Sequence, residues 1–316
     1  MTKSERIEQK QDAIPVNLWF VLAAGVLAMA SSSIFIRYAQ AEGVSSLVIG
    51  MSRLVIAAVI LSPVVWARHR PDLARLRRSD FLWAVVAGFF LAIHFAAWVS
   101  SLEYTTVLVS TVIVTASPVW VALMEFFFLG KAPTRLMIIG LVIALIGGVV
   151  IAAGSAGADT TVSGTEQDNS RQIIGILLSL LGSVAVAAYF TLGKKVRTVL
   201  PVIPYIWLVY GCGGLFMIVL VAASGASITG FPPIAYVWLL CCAVFPQLIG
   251  HSSLNYAVGY LPATLVSMIT QLEPIGSAIL AFILFQEFPG VIAILGSVVL
   301  LAGVSVASYG DRDAGH

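Results

Sequence analysis

Long apolar runs with almost no charge occupy this chain from Leu18 to Ser308, and they leave few folds open to it. A helix needs ~20 residues to cross the ~30 Å hydrocarbon core of a bilayer. Ten runs reach that length: 18–38, 45–66, 80–101, 106–128, 134–153, 172–193, 203–224, 233–256, 262–285 and 290–309. Unpaired backbone groups in lipid cost several kcal/mol each, which leaves helices and closed barrels as spanning structures. The runs do not alternate as barrel strands do, so the expected fold is an all-α polytopic membrane protein with ten transmembrane helices. Composition agrees: 59% of the 316 residues are hydrophobic, 10% are charged, and the mean hydropathy is +1.01. Soluble enzymes, nucleic-acid binders and disordered regulators are excluded by such values. Cys212, Cys241 and Cys242 all lie in apolar runs and read as small hydrophobes, with no disulfide or metal framework. The acidic residues Glu5, Glu8 and Asp12 argue against a signal peptide, so the first span is retained.

Lysine and arginine placement sets the orientation. With the N-terminus inside, the cytoplasmic segments carry 14 of the 17 basic residues, including the cluster from Arg68 to Arg78. Only Arg37 and Arg171 lie outside, and Arg53 is within a span. Both termini are therefore expected in the cytoplasm. The basic cluster is chiefly a topology determinant that also suits anionic lipid. Trp19, Trp66 and Trp83 fall near span ends and fit an interfacial belt.

The chain repeats itself. Shifted by 156 residues, Tyr104–Ile151 lies over Tyr260–Ala307 without a gap, and 12 of 48 positions are identical. The pairs include Pro118 with Pro274, Pro133 with Pro289, Gly140 with Gly296 and Gly147 with Gly303. These glycines are expected to let helices pack closely. The units are a tail at 1–17, a first five-helix repeat at 18–153, an external linker at 154–171, a second repeat at 172–309 and a tail at 310–316. Because five is odd, the second repeat lies upside down relative to the first. Two inverted five-helix repeats are a secondary-transporter architecture, with the site near the midplane at their interface.

Ala263–Ser308, with Leu-Glu-Pro at 272–274, Gln-Glu at 286–287 and Gly296 and Gly303, resembles the second repeat of the EamA branch of the drug/metabolite transporter superfamily. Ala-Ser-Pro at 116–118 and Arg53 are the matching features of the first repeat, and the resemblance runs from about residue 18 to 309. It implies ten helices in two inverted halves and movement of small metabolites by alternating access. Lys131 stands where such repeats usually carry a Glu, opposite Glu287, which removes the symmetry of that pair.

Ionisable groups at membrane depth cost ~2.5–3.5 kcal/mol each on insertion scales, so they mark cavities, partners or function. Glu273 is near the middle of its span, with Thr270 and Ser277 on its face and Pro274 freeing a backbone carbonyl one turn earlier. A carboxyl there is a candidate substrate or proton site. Arg53 is a candidate for cavity lining or for pairing with Glu273. His94, Trp98 and Ser101 share one face of the third span, and Gln247, His251 and Asn255 recur every four residues in the eighth. Thr111, Thr115 and Pro118 correspond through the repeat to Ser267, Gln271 and Pro274. The candidate substrate-binding set is Arg53, His94, Trp98, Thr115, Pro118, Gln247, His251, Asn255, Gln271, Glu273 and Pro274. Trp120, Tyr189 and Tyr210 are further aromatic candidates for stacking, whereas Glu125, near a cytoplasmic helix end, reads as solvated or interfacial.

The sequence contains no nucleotide-binding Gly-rich loop, zinc-helix motif, aspartyl dyad or nucleophile elbow. No catalytic residue, cofactor or metal is therefore expected, and no nucleic-acid partner; the partners are a small-molecule substrate, protons as a candidate coupling ion, and membrane lipids. With Arg53 as the lone cation at depth, the expected substrate is an amino acid or a related amphipathic or cationic compound. The expected setting is efflux across a bacterial inner membrane, although the residues themselves do not set direction. The alternatives are phosphorylated or sugar-linked metabolites and, from other classes, an intramembrane enzyme or a channel.

Overall fold

The computed structural model describes residues 15–104, 110, 113–114, 116–130, 132–155, 169–273, 275–276, 280 and 290–313. Its helices are α1 (Leu18–Ala30), α2 (Ser32–Ala41), α3 (Ser46–Arg68), α4 (Arg70–Ala74), α5 (Arg78–Ser101), α6 (Ser117–Leu129), α7 (Arg135–Ser155), α8 (Asn169–Arg197), α9 (Val202–Ser224), α10 (Pro233–Cys242), α11 (Ser252–Val258), α12 (Ala263–Thr270) and α13 (Val291–Asp313). A wide-turned π segment, Ala243–His251, joins α10 to α11. No strand occurs among the described residues.

Six helical stretches are long and apolar enough to cross a membrane: Leu18–Ala41, Ser46–Arg68, Arg78–Ser101, Arg171–Arg197, Val202–Ser224 and Pro233–Val258. Shorter apolar helices occupy Ser117–Phe128, Arg135–Val150 and Ile294–Ala307. The molecule is an integral membrane protein, and its surface fits that setting. Phe126, Phe127, Phe128, Leu215 and Val219 face outward, while Arg53, His94, Gln247, His251 and Asn255 are buried. A soluble protein would distribute these residues the other way.

Helix α7 runs to Ser155 and α8 begins at Asn169, past both ends of the expected 154–171 linker, and elements from either side of residues 156–168 pack in pairs. α3 lies on α9, α5 on α8, α6 on α12 and α7 on α13, while α1 lies on the π segment and α11. Lipid tails give apolar helix faces no hydrophobic reason to associate, so close packing and interhelical hydrogen bonds hold such pairs. Small residues allow the approach. A side chain at Gly140 would meet Gly303 O at 2.5 Å and Ala307 N at 2.6 Å. Gly147 lies against Leu300 and Gly303 against Ala144, and these two contacts exchange with each other under the 156-residue shift. The expected close-packing role is thus visible for Gly140, Gly147 and Gly303 on α7 and α13. Elsewhere Trp207 Nε1 donates to Ser62 Oγ at 2.9 Å, tying α9 to α3.

Charged groups collect at the end of the molecule that bears the basic cluster. Arg70 lies over the Trp66 ring at 4.4 Å and Lys195 over Trp83 at 4.0 Å, so both tryptophans carry a cation on one face. His69 Nδ1 is 2.8 Å from Asp72 Oδ2.

Candidate functional site

Four helix interruptions meet at one place. The first span breaks at Ser31, whose hydroxyl bonds back to Ala28 O at 2.6 Å. A turn at Ala116 precedes α6, with Pro118 in its first turn, where a missing N–H costs nothing. Helix α12 ends at Thr270, Gln271 and Leu272 form a turn, and helix resumes at Glu273. Pro246 sits inside the π segment. Irregular backbone at membrane depth is tolerated where protein or water covers it. These breaks surround a cavity, whose lining includes Ser32, Ser117, Pro246, His251, Thr270 and Glu273. Arg53 enters from α3, His94 and Trp98 from α5, and Val186 and Phe190 from α8. The walls stand close, leaving about 50 Å³ for the centres of water-sized molecules. One water takes ~10–15 Å³ by that measure, so this shape holds only a few.

Arg53 is the most constrained of the lining side chains. It is 1% exposed, yet no carboxylate forms an ion pair with it among the described residues. Nε donates to Gln247 Oε1 at 3.1 Å and Nη1 to Ser32 Oγ at 3.2 Å. Its guanidinium carbon lies 4.1 Å from the centre of the Phe95 ring. His251 meets the same ring edge-on, with centroids 5.3 Å apart. His94 stacks on Trp98 at 5.8 Å, and its Nδ1 is 2.9 Å from Gly182 O, which fixes the imidazole between α5 and α8. The expected direct pairing of Arg53 with Glu273 is absent among the described residues; the two share the cavity instead.

Of the candidates drawn from the sequence, Arg53, His94, Trp98, His251 and Glu273 line this cavity. Gln247 is buried behind Arg53 and holds it. Asn255, in line with them by spacing, turns elsewhere: it accepts from Tyr189 Oη at 2.6 Å and donates to His251 O at 2.9 Å. Tyr210 Oη joins that network by accepting from Asn255 Nδ2 at 3.4 Å, and it also meets Ser252 Oγ at 3.2 Å; both tyrosines pack between helices and are not among the cavity's lining residues. Pro118 and Gln271 are buried beside the breaks without lining the cavity. Ser267 bonds Thr264 O at 2.7 Å within its own helix. Thr111, Thr115, Pro274, Ser277, Lys131 and Glu287 lie outside the described residues.

Sequence reasoning missed Ser32, Ser117, Phe95 and Phe190. The serine run at 31–33 inside an apolar span was a signal for the first, and the 156-residue shift, which sets Ser117 on Glu273, was a signal for the second. The phenylalanines gave none, because an aromatic in an apolar helix is ordinary.

Glu125 corrects the expectation of a solvated or interfacial side chain. It is 4% exposed, and from the last turn of α6 its carboxylate accepts from Ala263 N at 2.9 Å, Thr264 N at 3.0 Å and Thr264 Oγ1 at 2.5 Å. It therefore caps α12 from another helix, satisfying backbone donors that a helix start leaves open. Lys194 Nζ donates to Leu261 O at 2.9 Å and Arg197 Nε to Asn255 O at 3.1 Å. Acid from α6 and base from α8 thus hold the two sides of the connection between α11 and α12.

Among the described residues, no three His, Cys, Asp or Glu side chains come together as a metal ion requires. The cavity's chemistry is hydrogen bonding, one cation, one carboxyl and aromatic faces.

The model of the EamA-like transporter family matches residues 16–153 and 173–309. An uncharacterized transporter of Archaeoglobus fulgidus is 26% identical over 287 residues, covering 90% of this chain and 94% of its own. A solved crystal structure superposes with a TM-score of 0.76 at 14% identity, covering 96% of this chain and 100% of the other, a likeness of fold alone. With nearly its whole length matched in two successive blocks, the chain belongs to the EamA-like transporter family of the drug/metabolite transporter superfamily.

Proposed function

We propose that this protein is a secondary transporter that moves a small amphipathic metabolite by alternating access through the cavity between its two halves. The substrate is an amino acid or a related amphipathic or cationic compound, moved outward across a bacterial inner membrane. Ten spans form two inverted five-helix halves, divided at 154–171, with both termini cytoplasmic. The observation that carries the reading is the cavity. It collects the interruptions of four spans, and two of these, at Ala116 and Leu272, coincide under the 156-residue shift. Ser117 and Glu273 follow them and face the same space from the two halves.

Helix packing supports inversion. Exchanging the first five spans for the last five turns the pair α1 with α11 into the pair α8 with α5 and leaves the pairs α3 with α9, α6 with α12 and α7 with α13 unchanged. Two halves related in this way interconvert by swapping conformations, which opens one mouth as the other closes. The broken backbones supply places to bend, and Arg53, His251, Glu273 and the His94–Trp98 stack supply groups that hold the solute. A phosphorylated solute calls for several cations, and Arg53 is the only lysine or arginine among the described lining residues.

The test is uptake and counterflow in proteoliposomes, with a mixed pool of amino acids, nucleosides and organic cations, with and without an imposed pH gradient. Enrichment of an amino acid or amphipathic cation is the expected result. Folded protein that enriches nothing from the pool, or that passes all its members without saturation, overturns the reading.

A further inference from the structure

The donors around Arg53 outnumber their acceptors. A guanidinium carries five N–H donors in a fixed fork, and this one is buried where unsatisfied charge is expensive. Among the described residues, Nε and Nη1 each make one hydrogen bond and Nη2 makes none. Gln247 gives its oxygen to Arg53, and its Nε2 is buried without a partner. His251 lines the cavity, and its Nδ1 is likewise buried without a partner. Arg53 and Gln247 therefore meet with too few acceptors and His251 adds an unpartnered ring nitrogen, while Glu273, the carboxyl on the same lining, makes no ion pair with Arg53 among the described residues.

A native interior seldom leaves such groups unmatched, and an anion with two oxygens is the group that matches them. Phosphate carries more charge than one guanidinium balances, and it favours several cations. A carboxylate carries one unit, and its planar pair of oxygens fits a free guanidinium edge. The apolar wall of Trp98, Val186 and Phe190 suits an organic body attached to it.

We infer that the cavity is a carboxylate receptor: a substrate carboxylate docks on the open edge of Arg53, with His251 and Gln247 as accompanying donors. Gln247 has a second duty, since its oxygen fixes the guanidinium plane. The inference rests on the cavity being the transport site and narrows that reading, because a substrate without a carboxylate leaves these donors unmatched.

Calorimetry on the full chain in detergent, with benzoate, benzamide and benzylamine as size-matched probes, tests it. Benzoate is expected to bind at least tenfold more tightly than either neutral or cationic probe. His251→Phe, which keeps an aromatic ring and removes the donor, should weaken benzoate about tenfold. Gln247→Glu should abolish benzoate binding while keeping or raising the melting temperature, because the variant supplies its own carboxylate to Arg53. A merely structural role for Gln247 would not produce that pairing of effects. Equal binding of benzamide, absence of benzoate binding by folded wild-type protein, or full benzoate affinity in Gln247→Glu overturns the inference. The transport reading is tested separately. Benzoate binding without solute uptake leaves a carboxylate site in a protein that does not transport, whereas uptake of neutral or cationic solutes without benzoate binding removes the carboxylate site alone.

Discussion

Glu273 stands where a helix restarts, and that position explains why a carboxyl is tolerated there. The turn at Gln271 and Leu272 interrupts the backbone, and the side chain that follows faces a cavity instead of lipid. Its counterpart through the repeat, Ser117, is neutral, so the two halves differ by a titratable group at otherwise matching places. If Glu273 carries the coupling proton, Glu273→Gln leaves the fold intact and uncouples transport. Driven accumulation should fall at least tenfold, while counterflow at equal pH continues. A variant with normal rate and normal pH dependence removes the carboxyl from the mechanism. The sequence exposed Glu273, Arg53, His94, Trp98 and His251 because polar groups at membrane depth are costly and therefore stand out. It did not expose Ser32 or Phe190, since serine and phenylalanine are unremarkable in membrane helices and a fold is needed to say which way they face.

Among the elements, α12 shows how a short broken helix is positioned. It has eight residues, no side-chain cap of its own and a proline at its N-cap, so its open donors depend on Glu125. Removing that carboxylate leaves two buried N–H groups and a hydroxyl without a partner. Each such loss costs ~1–3 kcal/mol in water-soluble proteins, and interhelical bonds in membranes average lower, ~0.6–2 kcal/mol. Glu125→Ala is therefore expected to lower stability by about 2–4 kcal/mol, read as an earlier denaturation midpoint in detergent, with Glu125→Gln between it and wild type. An unchanged midpoint in Glu125→Ala would show that water replaces the cap. Sequence position misled here because closeness to a helix end does not reveal what another span brings against it. The stretch Pro233–Val258 teaches the same lesson. Spacing of four put Gln247, His251 and Asn255 on one face, but each finds a different neighbour: Arg53, the cavity and Tyr189. Helical periodicity gives the direction of a side chain and says nothing of what stands opposite.

On the scale of the whole molecule, transporter and channel differ in one property: a transporter's cavity is never open to both sides at once. The apolar runs made the all-helical membrane architecture readable from the sequence, since it is written in long stretches of chain. What joins the two blocks was not readable, because it is built from contacts between residues far apart in the chain, such as Glu125 with Thr264. That contact lies beside the Lys194 and Arg197 hydrogen bonds, at the end marked by the basic clusters. The residue that matches Glu125 through the repeat, Ala281, carries no charge. A single cysteine at Ser117, in a background with Cys212, Cys241 and Cys242 replaced and transport retained, reports which mouth is open. Charged, impermeant maleimide should reach it from one side of sealed vesicles in wild-type sequence. Adding Glu125→Gln, which weakens the contact across the basic mouth, should move labelling several-fold toward that side and slow it from the other. A reciprocal change is what alternating access requires. Labelling from both sides that rises together would mean a continuous pore, and with it the end of the transporter reading for this cavity.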